Sequence, residues 1–203
     1  MSVLSQYHDL ILCVVSALEA RDSYTSFHSS RVAEMVEALC KFLGISGDQE
    51  ELFHISAHLH DVGKIGIRDD VLLKAGRLND EEWEIMKSHS LQGYEILRKA
   101  KLFEDVAIIV RGHHERWDGK GYPDGLAGNN IPLGSRLIAI ADSIDAMISD
   151  RPYRKGLDVS ICKEEIKKNA GIMYDPDVVK VAMDNWEELI AAGTATCVMK
   201  PST

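Results

Sequence analysis

The chain is poor in aromatic residues (6%) and proline (5 in 203 residues), and no apolar run approaches the roughly 20 residues that a membrane-spanning helix needs. Positive charge is also short. Lys and Arg number 23 against 32 Asp and Glu, a net charge of −9, which argues against a partner made of nucleic-acid polymer. A small anionic nucleotide is still admissible, because a metal centre and a few local bases reverse the field inside one pocket. The four cysteines (Cys13, Cys40, Cys162, Cys197) form no Cys-x-x-Cys pair and read as reduced thiols, two of them on core faces. The N-terminus carries Asp9 and no basic stretch, so Leu10–Val15 reads as helix rather than signal peptide. These features predict a soluble cytoplasmic protein without membrane attachment.

What is present is helical periodicity. Apolar residues recur at helical spacing in Leu4–Ala20 and Ser26–Leu43, the latter stopped by Gly44. Further helices are expected over Asp48–His60, after a cap at Asn79 or Asp80, and over Ser90–Ala100, Glu104–His114, Gly134–Ser149 and Val159–Asn169. A last one opens at Asp175-Pro176, with aspartate as N-cap and proline in the first turn. Ile65–Gly76 reads as loop. Glu115–Leu133, dense in glycine and proline, is the longest irregular stretch, and such a loop inside a compact domain is usually functional. The expectation is an all-α domain of about nine helices.

The pair His60-Asp61 belongs to a wider series of histidines and aspartates: His28, His60-Asp61, His89, His113-His114 and Asp142. A carboxylate can bridge two cations while imidazole holds one of them, and neutral nitrogen ligands leave positive charge to polarise a phosphoryl oxygen. Taken singly, each histidine is more often structural than a ligand. Jointly they suggest a multinuclear centre that hydrolyses a phosphate ester. His113 and His114 would point about 100° apart on a helix, so both reach one cation only if the helix frays there. His8, His54 and His58 lie outside the series and read as structural or surface residues; His58 falls on a different helical face from His60.

These residues closely resemble the bacterial HD-GYP family, a subgroup of the HD phosphohydrolases that degrades the signalling nucleotide cyclic di-GMP. The match runs through His60-Asp61-Val62-Gly63-Lys64, His89 with Gly93, His113-His114-Glu115 and Gly121-Tyr122-Pro123. It continues in Asp142-Ser143-Ile144-Asp145-Ala146-Met147 and Arg151-Pro152-Tyr153-Arg154 and ends near Tyr174-Asp175-Pro176, covering about Ala20 to Met183. The resemblance implies a single HD-type helical bundle with a long GYP loop. It places an N-terminal helix in 1–22 as junction or dimer contact, the catalytic domain in 23–190, and a tail in 191–203.

It also implies a binuclear centre. His28, His60, Asp61 and Asp142 would hold one divalent metal ion, and Asp61, as a bridge, with His89, His113 and His114 the second. Iron or manganese is favoured, with zinc and nickel as alternatives that the ligands also suit. Some members carry a glutamate four residues before the first histidine that recruits a third metal; Tyr24 stands there, so two metals are expected. Lys64 would contact a metal-bound water or a substrate phosphate, Arg151 and Arg154 would bind phosphates, and Gly121, Tyr122, Pro123 and Asp145 would complete the substrate pocket.

The expected reaction is attack by a metal-bridging hydroxide on one linkage of cyclic di-GMP, giving pGpG and, on a second pass, GMP. Alternatives are another nucleotide substrate, 3′,3′-cGAMP or linear, and a non-catalytic sensor of the cyclic dinucleotide. Partners beyond that small molecule would be a second copy of the chain or an attached sensory or receiver domain.

Overall fold

The computed structural model describes residues 5–21, 27–150 and 155–195. Among them the chain forms helices α1 (His8–Arg21), α2 (His28–Phe42), α3 (Asp48–Leu59), α4 (Asp69–Leu72), α5 (Asp80–Lys87), α6 (His89–Leu97) and α7 (Glu104–Arg111). After the long loop come α8 (Leu133–Ile148), α9 (Val159–Lys168), α10 (Pro176–Asp184) and α11 (Trp186–Ala195). The described residues contain no strand, only two isolated bridges.

Two departures from the expected helix number have local causes. One short turn, α4, interrupts the stretch that reads as loop, and a break at Asn185 separates α10 from α11. Elsewhere the local signals hold. Asn79 caps α5 in a reciprocal box with Glu82, and Asp175 accepts from the Asp177 and Val178 amides ahead of Pro176.

α3 is the central element because it is apolar on opposite sides. Phe53 and Ala57 enter a large core with Val36, Leu39, Leu137, Ile140, Ile144 and Leu189. Ile55 and Leu59 enter a second core with Ile11, Val15, Leu97, Val106 and Val110. Burial on both flanks fixes where α3 ends, and its end carries His60-Asp61.

α1 is bound into the domain by its C-terminal half. Glu19 accepts hydrogen bonds from the amides of Phe27 (2.9 Å) and Ser29 (3.1 Å), which flank His28 at the start of α2. Arg21 donates to the carbonyls of Lys64 (3.0 Å) and Ile65 (2.8 Å) in the 3-10 turn Val62–Gly66 and to that of Ile67 just after it. Outward, Tyr7, Leu10 and Val14 are exposed, so the apolar stripe seen in the sequence divides into a buried line, Ile11 and Val15, and an uncovered one.

Cys40 and Cys162 are buried and Cys13 is exposed. No described helix is long and apolar enough to cross a membrane.

Candidate metal centre

Four helix ends and the interior of a fifth helix converge on one site. His28 opens α2, His60 and Asp61 follow α3, His89 opens α6, His113 and His114 follow α7, and Asp142 lies within α8. α7 stops at Arg111 rather than continuing through His114, with Gly112 at its C-cap. Freed from helical phase, His113 and His114 converge with ring centroids 4.0 Å apart.

Close backbone approach is built in. A Cβ on Gly63 would lie 1.9 Å from the His89 carbonyl oxygen and 2.4 Å from the Gly93 amide, so only glycine lets the turn after Asp61 pack onto α6.

The ligating geometry is set by what each imidazole does with its second nitrogen. Nδ1 of His60, His89 and His113 faces the carbonyl oxygen of Ala57, Met86 and Val110, at 2.7, 2.7 and 2.5 Å. A carbonyl only accepts, so Nδ1 carries the proton and Nε2 presents a lone pair. His60 Nε2 is buried without a hydrogen-bond partner and lies 3.3 Å from Asp61 Oδ2. His89 Nε2 and His113 Nε2 face each other at 3.2 Å, and His114 Nε2 lies 3.1 Å from His89 Nε2. Lone pairs turned towards one another in a buried site, as at His60–Asp61 and His89–His113, are the arrangement that a bound cation resolves, and the nitrogen and carboxylate donors fit divalent transition ions.

Two groups of three can each hold an ion: His28, His60 and Asp142, and His89, His113 and His114. Asp61 spans them. Its Oδ2 lies 3.3 Å from His60 Nε2 and 3.8 Å from His28 Nε2, and its Oδ1 3.5 Å from His89 Nε2. Lys64 Nζ is 2.6 Å from Asp61 Oδ2.

Protonation follows from these neighbours. Burial opposes charge on Asp61, but Lys64 and then His60 and His89 override it and hold the carboxyl well below its usual range. Asp142 is likewise depressed, burial being outweighed by His28. Burial, joined by His89, lowers His114 to about 3, and burial with the neighbouring imidazoles lowers His113 too, so both are neutral at physiological pH. His28 goes the other way: burial opposes its charge, yet hydrogen bonds to Asp142 and Asp145 raise its pKa to about 9.

Asp145 requires a correction. Expected in the substrate pocket, it is instead buried behind His28, with Oδ2 2.6 Å from His28 Nδ1 and Oδ1 2.5 Å from Arg31 Nε. Arg31 Nη2 adds a contact of 3.0 Å. Both oxygens are taken up by His28, Arg31 and Ser149, so the buried side chain orients a histidine.

The loop after α7 reaches back over the same site. Glu115, buried, accepts from the Asp124 amide (2.7 Å) and the Leu126 amide (3.0 Å). A Cβ on Gly121 would lie 2.3 Å from the Arg116 nitrogen and 2.6 Å from the His114 carbonyl oxygen, so the loop folds onto its own backbone there. Tyr122 consequently lies with its ring centroid 4.8 Å from that of His114, and Pro123, after a cis peptide, is exposed. Trp83 meets the Tyr122 ring edge-on at 6.5 Å, and Lys87 Nζ sits 5.7 Å from its centre. Trp83, Lys87, Arg31 and Glu19 carried no signal in the sequence, because each acts through a partner distant along the chain. Arg151, Arg154 and Tyr24 lie outside the described residues.

The HD domain family profile matches residues 13–178. The chain is 37% identical over 185 residues to "3′3′-cGAMP-specific phosphodiesterase 2" of Vibrio cholerae serotype O1, covering 90% of this chain and 35% of that protein. It is 38% identical over 191 residues to a "Cyclic di-GMP phosphodiesterase" of Thermotoga maritima, covering 91% of this chain and 52% of that one. The chain thus spans about half or less of these relatives. Among solved structures, the Vibrio cholerae cyclic GMP-AMP phosphodiesterase V-cGAP3 superposes with a TM-score of 0.70 at 18% identity, over 95% of this chain and 53% of that one, a likeness of fold.

Proposed function

The chain belongs to the HD domain family, in its HD-GYP branch, and we propose that it is a metal-dependent phosphodiesterase that opens cyclic di-GMP to pGpG and onward to GMP. The observation that carries this reading is Asp61, whose two oxygens face two separate histidine groups. In it His28, His60, Asp61 and Asp142 hold one cation, and Asp61, His89, His113 and His114 hold another, iron or manganese.

When bound, the cations supply a water-derived nucleophile at neutral pH and charge to offset that developing on the phosphoryl oxygens. The chain's own groups do the rest. Three imidazoles are held in the donating tautomer by carbonyls, and Asp145 with Arg31 orients His28. Lys64, placed by Asp61, turns its ammonium to a substrate phosphate, and Arg151 and Arg154 take further phosphate charge. Tyr122, braced by Trp83, offers its ring to a guanine, with Gly121 and Pro123 shaping the loop around it. The outer stripe Tyr7, Leu10 and Val14 serves as a contact with a second copy or a preceding sensory domain, and the working location is the cytoplasm.

The relative named for 3′,3′-cGAMP supports a second substrate reading. Purified protein loaded with manganese or ferrous iron and offered both cyclic dinucleotides separates the two. Faster conversion of cyclic di-GMP to pGpG is expected. Turnover of 3′,3′-cGAMP alone assigns the second substrate, and binding of either nucleotide without turnover makes the protein a sensor.

A further inference from the structure

Where α1 packs against α3, a third cluster of imidazoles shares no residue with the site described above. His54 and His58 are one helical turn apart on α3, and His8 opens α1 against them. One ring nitrogen from each lies within 4.8 Å of the other two. The ring of His8 stacks on His54 at 5.6 Å and meets His58 edge-on at 5.4 Å. Three neutral or charged imidazoles have no reason to gather at the junction of two helices on packing grounds alone; apolar side chains would fill that place at lower desolvation cost.

We propose that His8, His54 and His58 form a separate site for a divalent transition ion of the zinc class, which clips α1 to α3. Histidines at i and i+4 on one helical face are the spacing by which helices present two nitrogens to one zinc ion. The Nε2 atoms of His54 and His58 are 3.2 Å apart. Two nitrogens held about 2.05 Å from one tetrahedral ion would be about 3.3 Å apart, so this pair is already at ligating separation. His8, at the first turn of α1, closes the third position by a side-chain rotation.

The surroundings suit a cation. Glu37 Oε2 lies 3.4 Å from His54 Nδ1, an ion-pair distance that places a carboxylate beside this ligand's second nitrogen. Glu37, Glu50 and Glu51 line the same open cleft as His8 and His54, and Glu51 Oε1 is buried without a hydrogen-bond partner. No residue of this cluster belongs to the two groups around Asp61, so ion binding here leaves those groups intact. It would act on α1, whose Glu19 and Arg21 brace His28 and the turn that carries Lys64.

The test is zinc content after exhaustive dialysis of zinc-saturated protein, in the full chain and in His8→Gln and His54→Gln, with folding followed by circular dichroism. Each variant is expected to retain one equivalent less than the parent, and added zinc is expected to raise the melting temperature of the parent more than that of His8→Gln. His8→Gln is expected to keep phosphodiesterase activity in manganese. Equal zinc content in the parent and His8→Gln overturns the site and leaves an imidazole–imidazole hydrogen bond in its place. Should His54→Gln fail to fold, His8→Gln alone decides the matter, since its side chain is only partly buried.

Discussion

Asp145 stands directly behind His28, its Oδ2 2.6 Å from His28 Nδ1, and is itself clamped by Arg31. An imidazole so held has one orientation and one basic nitrogen left to offer. Asp145→Asn keeps the shape of the side chain but removes the charge. It is expected to weaken metal affinity about 10- to 100-fold, as loss of such an orienting partner does. Chelator competition reads this directly. A raised KM with unchanged metal affinity would instead place Asp145 against the substrate.

His28 also makes metal binding depend on pH. Its pKa, raised to about 9 from 6.5 by Asp142 and Asp145 against the effect of burial, belongs to the metal-free protein. The sign is that of a raised base: the stability it lends the metal-free protein is complete below about pH 6.5 and is lost as pH rises through 9. A cation must displace that proton, so apparent affinity for the His28-bound ion is expected to rise about tenfold per pH unit between 6.5 and 9. Competition with a chelator of known proton affinity across that window checks the slope; a flat profile rules out a proton on His28.

Gly63→Ala tests the close approach of the turn after Asp61 to α6. Its Cβ would collide with the backbone of His89 and Gly93, neither of which can yield as a flexible side chain does. A loss of stability of at least about 1–3 kcal/mol is expected, with loss of metal because Asp61 and His89 are driven apart. Thermal unfolding and elemental analysis measure the two effects. Wild-type metal content in this variant would show that the two segments move independently.

Tyr122→Ala separates loop function from metal retention. The ring touches His114 and Trp83, but no hydrogen bond from it holds a histidine in place. Turnover of cyclic di-GMP is expected to fall about 10- to 100-fold, the order of one lost base-stacking contact, while metal content stays constant. Parallel kinetics and metal analysis decide it, and equal losses in both would make the loop a purely structural support.

Much of the fold was legible because helix signals are local. Asn79 with Glu82, Asp175 with Pro176, and the apolar repeats of α2 and α8 need only neighbours within a turn or two. The histidine and aspartate series was legible as a pattern of residue types, and the structure gathers its described members at one place. Asp145 entered the substrate pocket with the family motif Asp142–Met147, which carries no information on where its side chain turns. Only the packing of α2 against α8 shows it turned to His28 and Arg31. For His8, His54 and His58 the sequence displays only the i, i+4 spacing of His54 and His58, while the approach of His8, 46 residues earlier on another helix, leaves no trace in it.

Glu115 has a consequence for how such proteins diversify. The residue immediately after His114 ties down the following loop through two backbone amides, so the segment proposed to hold cations and the segment proposed to meet the nucleotide are one uninterrupted length of chain. A cover exchanged for that of a cousin would arrive with its own anchoring demands on the very histidines beneath it. On the proposed function, preference for one cyclic dinucleotide over another is therefore tied to the metal ligands beneath the loop. Each change of taste must also leave the metal grip undisturbed.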